Sequence, residues 1–222
     1  AAVLNFRVLG TIHLFPEGGI RMEMIGVSAS SSKAGKTTLI SLMVEDCRYK
    51  TGVIKTSVNN DLEQYKVIND PKVINKSGTD TARVVEHGAD RVILVESPAA
   101  ELPSAYQLAR NLLSDDIERL FVEGNTIINF LNLEILFYLE NDEKPEKESA
   151  KMVKNRANIK INTNTLLSND GLEDLPFNVQ QDKMTCYQAF LLADLFKMPV
   201  GEVGKIIREQ GVEVARCQLG LF

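Results

Sequence analysis

The sequence predicts an α/β protein, a mostly parallel sheet flanked by helices, with a small helix-turn-helix-like unit at the C-terminus. Three observations predict it. Short runs rich in Val, Ile and Leu alternate with segments of helical period, the order that buries a parallel sheet between helices. An apolar strand at Met24–Ser28 leads through a Ser/Gly-rich loop into a helical pattern at Thr37–Val44. A hydrophobic content of 44% over 222 residues suits one large domain, or a domain with a small appendage.

Taken in order, residues 1–21 lack a secretory pattern, because no basic end precedes a long apolar stretch. Met22 and Met24 stand directly before the first strand, and Glu17-Gly18-Gly19 is encodable by purine-rich codons that resemble a ribosome-binding site. The expectation is an over-extended gene start, with an extra edge strand at Val3–Leu9 as the competing reading. Gly52–Lys55 reads as a second strand, and Asn59–Ser77, polar with Pro71 and several Asn, as irregular surface. Thr79–His87 reads as a helix stopped by Gly88, Arg91–Val95 as a buried strand, and Leu102–Leu113 as an amphipathic helix. Leu120–Val122, Ile135–Leu139 and Ile159–Ile161 read as further strands, with a helix at Glu146–Lys154. Residues 166–184 are turn-rich and expected to be a linker. The unit at 185–222 is expected to hold helices at 186–197 and 200–210 and a strand at 212–217.

Composition excludes several classes of function. No apolar run reaches the roughly 20 residues a membrane-spanning helix needs. A formal charge of −5 argues against general binding to nucleic acid or acidic membranes. Three cysteines, Cys47, Cys186 and Cys217, make neither a disulfide framework nor a zinc site, which suits a reducing cytoplasm.

The segment Ser30-Ser31-Ser32-Lys33-Ala34-Gly35-Lys36-Thr37-Thr38 fits G-x-x-x-x-G-K-[ST] at every fixed position but the first. Each part has a physical task in a P-loop nucleoside triphosphatase. Backbone N–H groups of Ser31, Ser32, Lys33 and Ala34, with the helix N-terminus after them, offer a fixed positive field to phosphate oxygens. Gly35 lets the backbone approach without a Cβ. Lys36 brings a mobile charge to the outer phosphates, and the Thr37 hydroxyl is placed for Mg2+. Thr38 completes the nucleotide-binding set. Ser30 departs from the pattern, and the surrounding small residues keep the loop narrow. A chance match in a Ser-rich turn competes, but the strand before and the helix after weigh against it.

Magnesium commonly takes a carboxylate as well. Two apolar strands end in Glu, at Glu96 and Glu123, on the sheet edge where α/β folds bind ligands. Glu123, before Gly124, is the first choice for metal and for catalysis alongside Lys36. Asp80 is the second choice for metal, and Asp61 lies in the irregular region. For each acid the plain alternative is a solvated loop carboxylate.

These motifs together resemble the MobB family, the molybdopterin-guanine dinucleotide biosynthesis proteins B. The resemblance is carried by Ser32-Lys33-Ala34-Gly35-Lys36-Thr37-Thr38-Leu39 and Gly52-Val53-Ile54-Lys55. It continues in Gly78-Thr79-Asp80-Thr81-Ala82-Arg83, Glu86-His87-Gly88-Ala89 and Val122-Glu123-Gly124, and it covers roughly residues 24–165. It implies a homodimeric GTP-binding protein, dependent on Mg2+, that assists a nucleotidyltransferase acting on molybdopterin. Such a protein is an accessory and at most a slow GTPase. By the same resemblance Lys55, Asp80 and Arg83 line or order the nucleotide site. The chain departs from the family after Ile54-Lys55, where Thr56-Ser57-Val58-Asn59-Asn60 replaces a His/Asp-rich stretch.

Ala157-Asn158-Ile159-Lys160-Ile161-Asn162 resembles a strand ending in a base-reading Asn. Asn162 is a candidate for the purine edge, with an ordinary turn residue as the alternative. No Lys-x-Asp follows it, so GTP and ATP both stay open as the nucleotide. In the C-terminal unit, Lys183, Lys197, Lys205, Arg208 and Arg216 are matched by Asp182, Asp194, Glu202, Glu209 and Glu213. DNA binding is therefore not expected, and a packing or docking role is. Cys186 and Cys217 are either a redox or metal pair or, more simply, small core residues. Besides the accessory reading, a P-loop metabolite kinase or ligase using ATP is the alternative, and a nucleotide-sensing DNA-binding regulator a distant third.

Overall fold

The computed structural model describes residues 22–215. Residues 1–21, where an over-extended start or an edge strand at Val3–Leu9 is expected, and Arg216 and Cys217 lie outside the described residues. The elements are β1 (Glu23–Ala29), α1 (Lys36–Val44), β2 (Thr51–Val58), β3 (Lys66–Ile68), α2 (Pro71–Ile74) and α3 (Asp80–Glu86). They continue as β4 (Arg91–Ser97), α4 (Leu102–Asn111), β5 (Arg119–Glu123), a 3-10 turn (Ile127–Phe130), β6 (Ile135–Glu140), α5 (Glu148–Lys154) and β7 (Ile159–Asn162). The chain then forms α6 (Thr163–Ser168), β8 (Asn178–Val179), β9 (Lys183–Thr185), α7 (Cys186–Leu195), α8 (Val200–Glu209) and β10 (Glu213–Ala215).

Eight strands form one sheet in the order β3-β4-β2-β5-β1-β6-β7-β8. The six inner strands pair in parallel, and only the edge strands β3 and β8 run antiparallel. Parallel strands must be covered on both faces, and the alternation of side chains does this. Ile25, Val27, Phe121, Phe137 and Leu139 point into a core shared with α1, α7 and α8. Leu120, Val122, Leu136 and Tyr138 point the other way, into a core with α4 and α5. Helix α1 carries buried residues around most of its circumference, as a helix between sheet and outer helices must.

Two stretches are more ordered than expected. Residues 59–77 hold β3, which pairs with β4, and α2, which opens on Pro71 with Asp70 as its cap. Residues 166–184 hold β8, an edge strand on β7, and bury Leu172, Leu175 and Phe177.

Helices α7 and α8 lie at the expected places, and a capping box of Thr185 and Gln188 starts α7. Phe196, after α7, stacks on Phe137 of the sheet at 5.9 Å and meets Phe177 edge-on at 5.1 Å. The two helices thus share the core of the sheet, and β9 pairs in parallel with β10 beyond them. Cys186 is buried in this packing.

Arg119 fixes the far end of β5. Its guanidinium is 2% exposed and binds Glu23 of β1 at 2.7 Å and Asp194 of α7 at 2.7 Å, while stacking over the Tyr49 ring at 4.4 Å. Burial alone would lower its pKa, but the two carboxylates outweigh it and hold the guanidinium charged.

Candidate functional site

Every inner strand ends on the same edge of the sheet, and the loop after β1 sits there. β1 lies between β5 and β6, so the chain leaves it in one direction and later returns to its other side. Such a switch point opens a crevice for a ligand.

The loop is shaped by its own backbone and anchored by neighbours. Lys33 and Gly35 both take positive φ, 57° and 88°. The positive φ favours glycine at position 35, and a Cβ there would also crowd the Leu166 side chain at 3.1 Å. Leu39 N–H is the first to close on the helix, at Gly35 O, leaving the Lys36, Thr37 and Thr38 amides without an intrahelical partner. Free amides at the positive end of a helix are groups of the kind that can receive an anion.

Ser30, the departure from the motif, has a structural task. Its buried hydroxyl accepts from Asn141 N–H at 2.9 Å, and its carbonyl accepts from Lys147 N–H at 2.8 Å, tying the loop to the end of β6. Thr163 Oγ1 donates to Ala34 O at 3.2 Å. Asn125 binds Ala29 through both amide atoms, at 3.1 and 2.9 Å. Asn125 was not foreseen, and the only signal for it is its place two residues after Glu123. Ser31 Oγ is buried and has no hydrogen-bond partner among the described residues. A buried hydroxyl without a partner in a loop of this shape fits a phosphate oxygen. Ser32 and Lys33 are exposed at the loop surface.

Glu123 is the acid at the centre. It closes β5, next to β1 and in register with Val27, and is buried. Its Oε2 accepts from Thr37 Oγ1 at 3.1 Å. Its Oε1 lies 3.3 Å from Lys55 Nζ and 3.8 Å from Lys36 Nζ. Gly124, at φ 150°, turns the chain here, and a Cβ on it would stand 2.0 Å from Thr56 Oγ1. That hydroxyl donates to Glu123 O at 2.9 Å and steadies the strand end.

Asp80 joins the same group. Its Oδ2 binds Lys55 Nζ at 2.5 Å, and Lys55 also donates to Thr37 Oγ1 at 3.2 Å. Burial would raise the Asp80 pKa, but the hydrogen bond and charge of Lys55, with help from Arg83, hold it below the ordinary carboxylate value. Lys36 is lowered by burial, which the Glu123 charge only partly offsets. Arg83, exposed on α3, reaches Thr38 Oγ1 at 3.4 Å. Thus Lys36, Thr37, Lys55, Asp80 and Glu123 converge, with Thr38 and Arg83 adjoining.

Other candidates fall elsewhere. Glu96 is the last residue but one of β4, which β2 and β5 separate from β1. Asp61 is exposed and its N–H donates to Asn59. Asn162 caps α6: its Oδ1 accepts from Asn164 N–H at 2.9 Å and Thr165 N–H at 3.2 Å. Its Nδ2 donates to Asp142 at 3.1 Å, so the amide expected at a purine edge is engaged within the protein. No group of three or more His, Cys, Asp or Glu side chains suited to a metal ion occurs among the described residues. A magnesium ion here would draw instead on Thr37, Glu123, Asp80 and the phosphates, a donor set of the hard oxygen kind it takes.

No family model and no curated protein matches the chain. Among solved structures it is similar to the crystal structure of HypB from Helicobacter pylori in complex with nickel, at 12% identity and a TM-score of 0.38. The similarity spans 87% of this chain and 77% of that one. A likeness that distant says nothing of function. No described helix is long and apolar enough to cross a membrane.

Proposed function

We propose that the chain binds a nucleoside triphosphate with Mg2+ and acts as an accessory in molybdopterin-guanine dinucleotide formation, with GTP as its nucleotide. The single observation that carries the binding reading is the Thr37–Glu123 contact, formed between the helix after the loop and the strand beside it. The loop amides and the α1 terminus hold the phosphates, and Lys36 neutralises the outer ones. Thr37, Glu123 and Asp80 are the residues that would hold the metal. The bound Mg2+ supplies charge neutralisation at the outer phosphates.

The accessory role rests on the motifs that resemble those of the MobB family. A metabolite kinase needs an acceptor pocket beside the γ-phosphate. A cavity of about 420 Å³ lined by Asn69, Pro71, Ile74, Val92 and Ser114 lies at the start of β4, at the opposite end of the strands from the loop. The chain in this reading works as a homodimer beside a molybdopterin nucleotidyltransferase. Adding it to such an enzyme with molybdopterin and GTP should raise the yield of guanine dinucleotide. No stimulation by the wild-type chain, or phosphoryl transfer from ATP to a metabolite, would overturn the accessory role.

A further inference from the structure

We propose that Lys55 is a built-in competitor of the divalent cation: its ammonium and the metal claim the same three oxygens. The proposal rests on the nucleotide-binding reading above. Lys55 Nζ stands 2.5 Å from Asp80 Oδ2, 3.2 Å from Thr37 Oγ1 and 3.3 Å from Glu123 Oε1. These oxygens come from three different elements, α3, α1 and β5, and meet at one point because β2 is the strand next to β5. Lys55 is in direct register with Glu123. A lysine ammonium has three donors and no acceptor; here it donates to Asp80 and Thr37 and pairs by charge with Glu123.

The same oxygens are the ones the proposed function assigns to the metal. Magnesium requires oxygens at about 2.0–2.1 Å in octahedral array and tolerates little distortion. An ammonium at hydrogen-bond distance from all three occupies that volume, and its charge repels a second cation a few Å away. The two cannot share the site.

Lys36 is not equivalent. It lies 3.8 Å from Glu123 and has no ion pair with Asp80, which leaves it for the phosphates. Lys55 has a flexible four-carbon stem and can withdraw its Nζ without movement of β2. The consequence is ordered binding. The protein alone holds a divalent cation weakly, and the metal enters with a triphosphate, whose negative charge compensates the displaced ammonium.

The test is a titration of the full chain with Mn2+, without nucleotide, followed by electron paramagnetic resonance. Lys55→Met keeps the stem and removes the ammonium, and should bind Mn2+ about tenfold or more tightly than wild type, because no competitor need first be moved. Lys50→Met serves as the charge control. It removes an ammonium paired with Asp116 before the start of β2, at the opposite end of the strand from Lys55. It should change Mn2+ affinity no more than about twofold, by distance and screening. A Lys55→Met protein that binds Mn2+ no more tightly than wild type, or a control that matches it, overturns the proposal. Should Lys55→Met fold poorly, the wild-type chain still decides. Saturating Mg2+ should speed reductive methylation at Lys55, read by mass spectrometry, and an unchanged rate overturns the competition. Failure of the nucleotide reading is separate, since it appears as wild-type protein that binds no triphosphate at any Mg2+ concentration.

Discussion

Thr37 Oγ1 donates to Glu123 Oε2 at 3.1 Å, joining two residues 86 positions apart. The bond connects the helix that follows the loop to the end of the neighbouring strand. It places a hydroxyl and a buried carboxylate side by side, within reach of two lysines. Replacing the charge while keeping the shape isolates its task. Glu123→Gln should lose the magnesium-dependent part of triphosphate affinity, roughly 1.5–3 kcal/mol for a contact to a charged group. Calorimetry with Mg2+ and again with chelator is the check, and the chelator values should agree between the two proteins.

The end of β5 depends on a glycine. Gly124→Ala introduces a Cβ 2.0 Å from Thr56 Oγ1 at a φ of 150° that L side chains rarely adopt. It should destabilise the fold by roughly 1–3 kcal/mol and weaken triphosphate binding through the displaced Glu123. Adding Thr56→Ala removes the colliding hydroxyl and should recover part of the stability, as measured by denaturant unfolding. No recovery would mean that the strain is wholly in the backbone.

Most of the frame was legible in the sequence for a simple reason. Inner parallel strands are continuous apolar runs, and helices such as α4 show clean period, so both were placed to within a few residues. β3 was missed because it is three residues long, antiparallel and half-exposed, and its stability comes from β4 rather than from its own pattern. Buried Leu172, Leu175 and Phe177 sit among turn residues that mask them. At the site, Lys36, Thr37 and Glu123 were legible from motif and strand end. Asp80 ranked second because an exposed acid at a helix start has many ordinary uses; its contact with Lys55 spans 25 residues. Asn162 looked like a base reader because it closes a strand, but Thr163–Ser168 supplies a helix for it to cap. Arg119 gave no signal, since its partners Glu23 and Asp194 are 96 and 75 residues away.

Arg119 therefore carries its own prediction. Arg119→Ala leaves the partly exposed Glu23 and Asp194 beside each other, with only the exposed Arg48, 3.3 Å from Asp194, as a remaining cation. The expected cost is about 2–3 kcal/mol for a lost charge-assisted network, with a fall in melting temperature on the order of 5–10 °C. Thermal unfolding followed by circular dichroism reads it. A shift of only a degree or two would show the network to be dispensable.

A pH-dependent contribution lies at the α5 start. Tyr138 donates to Glu146 at 2.5 Å, and Lys154 lies 3.4 Å from the same carboxylate. The Tyr138 hydrogen bond, ahead of Lys154, holds the Glu146 carboxyl below the ordinary glutamate value. A depressed carboxyl pKa contributes stability that is complete above the unfolded value and is lost as pH falls through the folded one. The stability gap between wild type and Glu146→Gln should be constant above about pH 5.5 and close as pH falls below the unfolded value. Because the carboxylate is partly exposed, the gap should stay under about 1 kcal/mol. Urea unfolding at several pH values measures it, and a gap that widens on acidification contradicts the assignment.

The central claim is that this loop binds a triphosphate with magnesium. Calorimetric titration of GTP, and of ATP, into the wild-type chain and into Lys36→Ala tests it most directly. The account predicts binding that Mg2+ strengthens, that favours GTP, and that weakens by roughly 1.5–3 kcal/mol in the variant through loss of a charge-assisted contact. Binding of neither nucleotide by the wild type, or equal affinity in Lys36→Ala, would contradict it.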